Sequence, residues 1–81
     1  MNEVDFVASV VTALTGDEHC YEVDRRADDK GVLLTLYIDS QHMGRVIGRE
    51  GVTANALRSL LWALGTRNNA KYGLKIYKRD D

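Results

Sequence analysis

Proline is absent from the 81 residues, and cysteine, tryptophan and phenylalanine occur once each, as Cys20, Trp62 and Phe6. Without proline, glycines and polar clusters must punctuate the chain. A single cysteine excludes an intrachain disulfide and suits a reducing compartment. No apolar run approaches the ~20 residues that span a bilayer. The start, Met1-Asn2-Glu3-Val4-Asp5, is acidic rather than basic and does not read as a signal peptide. A cytoplasmic protein with no membrane partner is expected. The composition, 44% hydrophobic and 28% charged, is that of a folded chain. A chain this short buries only about 60% of its unfolded surface. One domain over residues 1–81 is therefore expected, with a shallow surface site rather than a deep catalytic cavity.

Net charge is −1, but its distribution is lopsided. Residues 1–40 hold nine acidic and three basic residues, whereas residues 41–81 hold eight basic and three acidic ones. Such asymmetry either lets the two halves attract one another in the fold or points to an anionic partner for the basic half.

Val4, Val7, Ala8, Val11 and Leu14 recur at helical spacing and stop at Gly16, which predicts a first helix with Glu3 and Asp5 in its favourable first turn. Tyr21 and Val23 alternate with Glu22 and Asp24 as a weak strand. Asp28-Asp29-Lys30-Gly31 reads as a turn. A clear strand follows, with Val32, Leu34, Leu36 and Ile38 on one face. Asp39-Ser40 can cap a short helix over about Gln41 to Ile47. Gly48 to Gly51 interrupts it. A longer helix carries Thr53, Leu57, Leu60, Leu61 and Leu64 on one stripe, closed by Gly65 and a polar loop, Thr66-Arg67-Asn68-Asn69. Tyr72, Leu74 and Ile76 mark the last strand. The order is helix, strand, strand, helix, helix, strand. A two-helix connection suits a parallel, right-handed crossover between the second and third strands. The expected class is α+β, a three-stranded mixed sheet with three helices on one face.

The break between the two helices is the most informative feature. Glycine lets the backbone turn sharply and lets a ligand approach closely. Free amides at the start of the helix after Gly51, beside the positive end of its dipole, favour phosphate. Arg49 projects from the tip and Arg45 lies one turn earlier, both suited to phosphate oxygens. Two glycines three apart are a weak signal alone; a tight helix–helix turn needs them too. Their position between two helices and after an alternating strand gives the pattern its weight.

His42-Met43-Gly44-Arg45-Val46-Ile47-Gly48-Arg49-Glu50-Gly51, followed by Ala54, Ala56, Leu57 and Arg58, resembles the signature of the KH (K homology) domain. The element order is similar to its type II, bacterial form, and the chain as a whole looks like the small KhpA-type proteins. The resemblance implies binding of single-stranded RNA, as a chaperone or post-transcriptional regulator. It implies that Gly48, Arg49, Glu50 and Gly51 clamp the sugar-phosphate backbone, with about four unpaired bases in an adjoining groove. Ile47 would floor that groove and Arg58 would face it. Arg67 and Lys71 would form one rim in the equivalent of the family's variable loop. The resemblance further implies a homodimer, or pairing with a KhpB (Jag-type) partner. Glu50 departs from expectation, because a carboxylate repels phosphate; a role beside the helix N-terminus, worth about 0.3–1 kcal/mol, is the favoured reading. Changing both Gly48 and Gly51 to aspartate is expected to abolish RNA binding with the fold intact.

Trp62 falls roughly opposite the Leu57, Leu61 and Leu64 stripe and is the candidate interface residue, against packing within the monomer. His19 and His42 form no recognisable ligand motif with Cys20 or nearby carboxylates, so no metal site is expected. No set of acid, base and nucleophile assembles, so neither an enzyme, a cofactor nor a small-molecule substrate is expected. Two other readings remain open. One is a duplex DNA binder, reading bases with Asn55, Arg58, Ser59 and Trp62. The other is a dimerising protein–protein adaptor.

Overall fold

The computed structural model describes residues 2–79. Helix α1 (Glu3–Thr15) is followed by strands β1 (Tyr21–Asp28) and β2 (Gly31–Ile38), helix α2 (Ser40–Ile47), a single 3₁₀ turn (Arg49–Gly51), helix α3 (Val52–Asn68) and strand β3 (Tyr72–Lys78). This is the expected α+β order. Asn2 starts α1 by accepting the Asp5 amide at 2.8 Å, and the Gly16 amide closes it on the Thr12 carbonyl. Asp28 Oδ1 accepts the amides of Lys30 and Gly31 and so folds the β1–β2 hairpin.

β2 lies at the centre of the sheet, antiparallel to β1 and parallel to β3. Its alternation sets the layers. Leu34, Leu36 and Ile38 are fully buried and meet Val7 and Val11 of α1, Val46 of α2, Leu57 and Leu61 of α3, and Leu74 of β3. Each fully buried side chain of this size contributes about 1.5–3 kcal/mol. Among the described residues no helix lies on the other sheet face. There Tyr37 and Tyr77, neighbours in register, stack at 6.1 Å between ring centroids.

The helices differ from expectation in phase and length. The buried positions of α1 are Glu3, Val7, Val11 and Thr15, while Leu14 lies exposed. Glu3 can be buried because Arg25 Nε of β1 donates to its Oε1 at 2.6 Å. The Arg25 guanidinium, foremost by this hydrogen bond, and the Glu3 backbone amide hold that carboxyl below its ordinary range against the opposing effect of burial. The buried stripe of α3 is Ala54, Leu57, Leu61 and Gly65, whereas Leu60 is 53% exposed. Gly65 does not end the helix. It lies against the returning chain, where a Cβ would come within 2.5 Å of the Ala70 carbonyl oxygen. The helix runs on to Asn68, and Asn69 (φ 56°, ψ 44°) takes the left-handed capping position. Asp39 stands at the start of α2 but its side chain does not cap the helix; its Oδ1 instead accepts from Arg79 Nε at 3.0 Å. Among the described residues no helix is long and apolar enough to cross a membrane.

Candidate functional site

α2 ends against α3 at the 48–51 turn, and the backbone there takes three unusual conformations. Gly48 has φ 77° and ψ 173°, a region essentially restricted to glycine. Glu50 (φ 57°, ψ 23°) and Gly51 (φ 79°, ψ 11°) are both left-handed. The Gly48 amide is bonded to the Gly44 carbonyl, the Gly51 amide to that of Gly48, and the Val52 amide to that of Arg49. The Arg49 and Glu50 amides donate to no protein group among the described residues. Gly51, at the N-cap of α3, has no side chain to cap that helix. Two backbone donors thus lie beside the positive end of a 17-residue helix, an arrangement suited to an anion.

The two glycines serve different needs. Thr53 lies against Gly48 and leaves no room for a Cβ, while a Cβ on Gly51 would meet only Asn55 Nδ2 at 3.9 Å. Gly51 is required by its left-handed conformation alone. Replacing Gly48 by aspartate would therefore disturb the α2–α3 junction itself, contrary to the expectation of an intact fold. Thr53 was legible in the sequence only as a residue on the α3 stripe. Nothing in the local pattern marks it as the residue that excludes a side chain at position 48.

Arg45, in the last turn of α2, and Arg49, in the 3₁₀ turn, are exposed, and Ile47 beside them is half-buried. Glu50 is exposed at the tip. Its carboxylate makes no ion pair among the described residues and no capping bond to α3, so any benefit it brings is through the dipole alone. Arg58 bends toward the sheet: Nε donates to the Leu74 carbonyl at 3.4 Å and Nη1 to Asn55 Oδ1 at 3.3 Å. It thereby bridges α3 and the edge strand β3. Arg67 belongs to the last turn of α3 rather than to a loop. It lies about 24 Å along the helix from Gly51, at 1.5 Å per residue. Lys71 follows in the connection to β3, where its carbonyl accepts the Val32 amide. The fold thus gathers Arg45, Ile47 and the 48–51 turn at one end of α3. Arg58 sits along its length, and Arg67 and Lys71 lie at the far end.

Charge pairing separates the two halves of the chain. Glu3 pairs with Arg25, Asp24 with Arg26, and Glu22 and Asp39 with Arg79. Among the described residues, Arg45, Arg49, Arg58, Arg67 and Lys71 have no acidic partner. Among the described residues, mutual neutralisation of the two halves, the alternative left open by composition, involves Arg79 alone. On α3, Trp62 is 72% exposed and Val52 63%, and Leu60 is exposed as well, so this helix presents three large apolar side chains to its surroundings.

Comparison with known proteins accords with this geometry. The family model for the KH domain of KhpA and KhpB matches residues 4–76. The RNA-binding protein KhpA of Listeria monocytogenes (strain EGD-e) is 31% identical over 72 residues, covering 89% of this chain and 95% of that protein. RNA-binding protein KhpA of Bacillus subtilis is 30% identical over 73 residues, 90% of each chain. That of Borreliella burgdorferi is 29% identical over 75 residues, 93% of this chain and 92% of that one. No solved structure matches the chain significantly. With the family model spanning nearly the whole fold and the glycine turn at its expected junction, this chain belongs to the KhpA/KhpB KH-domain family.

Proposed function

We infer that the chain binds single-stranded RNA by clamping its sugar-phosphate backbone at the 48–51 turn, and acts as an RNA chaperone or post-transcriptional regulator. The observation that carries this reading is the pair of unpartnered amides at Arg49 and Glu50, flanked by the unpaired guanidinium groups of Arg45 and Arg49. Relatives named as RNA-binding proteins support the choice of ligand. Bases would lie along α3 and β3, with Ile47 as floor, Arg58 beside them, and Arg67 and Lys71 at the distal rim.

Glu50 repels phosphate, so one clamp alone binds weakly. The exposed apolar side of α3 around Trp62 supports pairing, either with a second copy or with a KhpB-type partner. Two linked clamps raise avidity without new contacts. The same surface favours the second reading, a dimerising adaptor for which nucleic acid is secondary. A duplex DNA reader draws less support, because Arg58, the charged residue of its recognition face, is turned onto β3.

Fluorescence anisotropy of a labelled single-stranded RNA over a salt series tests the clamp. Engagement of two to four phosphates predicts a log–log slope of about −1.4 to −2.8. Arg49→Asp is expected to weaken binding about tenfold or more and to flatten that slope. A salt-independent affinity, or duplex DNA outcompeting single-stranded RNA, contradicts the reading.

A further inference from the structure

Outside the glycine turn, the fold brings His42 to two metal-ligating groups of a distant segment, Asp17 and Cys20. Cys20, at the entrance to β1, is 1% exposed. Its Sγ points toward Thr15 Oγ1 at 3.5 Å and the Asp17 carbonyl at 3.3 Å. Asp17 belongs to the α1–β1 connection, and its Oδ1 accepts the His19 amide at 2.8 Å. His42 comes from the first turn of α2. One ligand atom from each of Asp17, Cys20 and His42 lies within 4.8 Å of the other two.

A second observation points to an occupant. His42 Nδ1 is inaccessible to solvent and has no hydrogen-bond partner among the described residues. A buried polar atom left without a partner is rare in folded proteins and calls for an explanation, an ion among them. The Cys20 thiol does not supply one, because its hydrogen-bond partners are the Thr15 hydroxyl and the Asp17 carbonyl.

We propose that Asp17, Cys20 and His42 form a binding site for a thiophilic divalent cation of the zinc class. Thiolate, imidazole and carboxylate are the ligand types Zn²⁺ takes, at about 2.3, 2.0–2.1 and 2.0–2.2 Å. Tetrahedral bonds of those lengths place the ligand atoms about 3.3–3.8 Å apart, so from separations within 4.8 Å the site needs to contract by about 1.5 Å at most. Rotation of the half-buried Asp17 side chain can supply that movement. Two anionic ligands neutralise a dication. A sulfur and a nitrogen donor select against Mg²⁺ and Ca²⁺, which take oxygen. On binding, the Cys20 S–H bond is replaced by an S–metal bond and the proton leaves to solvent. The fourth coordination position is left for water. An ion here ties the α1–β1 connection to the helix that ends in the glycine turn, six residues after His42.

The test is titration of the full-length protein with Co²⁺, followed by displacement with Zn²⁺. One equivalent is expected to produce a sulfur-to-cobalt charge-transfer band with tetrahedral visible absorption, and Zn²⁺ to bleach both and raise the unfolding temperature. Cys20→Ser should abolish the charge-transfer band. His42→Gln, at a less buried position, should weaken binding about tenfold or more while leaving far-ultraviolet circular dichroism unchanged; it decides the matter if Cys20→Ser fails to fold. Absence of the thiolate band overturns the proposal, as does an affinity that His42→Gln leaves unchanged. In that event the buried nitrogen is satisfied by water and any cation binds surface carboxylates.

Discussion

A Cβ placed on Gly48 would lie 2.8 Å from the Thr53 Cβ and 2.9 Å from the Thr53 amide nitrogen. Position 48 is thus excluded to side chains from two directions, by its backbone angles and by α3 itself. Position 51 is limited by its angles only. Gly48→Ala should accordingly cost about 3 kcal/mol or more and Gly51→Ala about 1–2 kcal/mol. Urea unfolding of the two variants checks this order. Equal losses would mean that Thr53 yields without cost.

Glu50 holds a left-handed conformation that asparagine tolerates better. It also places a carboxylate where a phosphate is expected. Glu50→Asn should leave stability unchanged or raise it by about 0.5 kcal/mol, and should tighten RNA binding. Both quantities follow from one preparation, by denaturant titration and by anisotropy. Weaker RNA binding would show that Glu50 contacts the nucleic acid favourably.

Glu3 gives the fold an acid-sensitive element. Its carboxyl is held below the ordinary value of 4.5, chiefly by the hydrogen bond from Arg25. The linked stability is fully present above about pH 4.5 and is lost as pH falls through the lower, folded-state value. Stability measured from pH 7 to 2 should fall in that acid range. Arg25→Gln should make the fall shallower. At neutral pH the same change should cost only about 1 kcal/mol, because Arg25 is half exposed. An unaltered pH profile in Arg25→Gln would remove this pair from the acid response.

Trp62 should act between molecules rather than within one. The proposed pairing predicts a dimer in solution for the purified protein and a monomer for Trp62→Glu, with little loss of stability, since the side chain is largely exposed. Light scattering across a concentration series reads the outcome. A dimer that persists places the contact elsewhere on the surface.

Element order and the glycine turn were legible in the sequence, because β2 alternates cleanly and the turn interrupts two helical patterns. Helix phase was not. Glu3 is buried in α1 through a partner 22 residues away, and no local period records such a pairing. Leu60 fitted the apolar stripe of α3 but faces outward, since apolar residues on two sides of a helix blur its phase. Gly65 read as a terminator because glycine commonly ends helices. Here it admits the returning Ala70 carbonyl, and Asn69 ends the helix. His42 shows the same limit at a site, meeting Cys20 and Asp17 only once α2 is docked.

The proposed clamp stands on two amides. Titration of the ¹⁵N-labelled protein with a short single-stranded RNA reads them directly. The Arg49 and Glu50 amide resonances are expected to shift most, followed by those of Gly51 to Thr53, with smaller changes toward Arg67. Saturable RNA binding that moves resonances elsewhere and leaves Arg49 and Glu50 unmoved would contradict it.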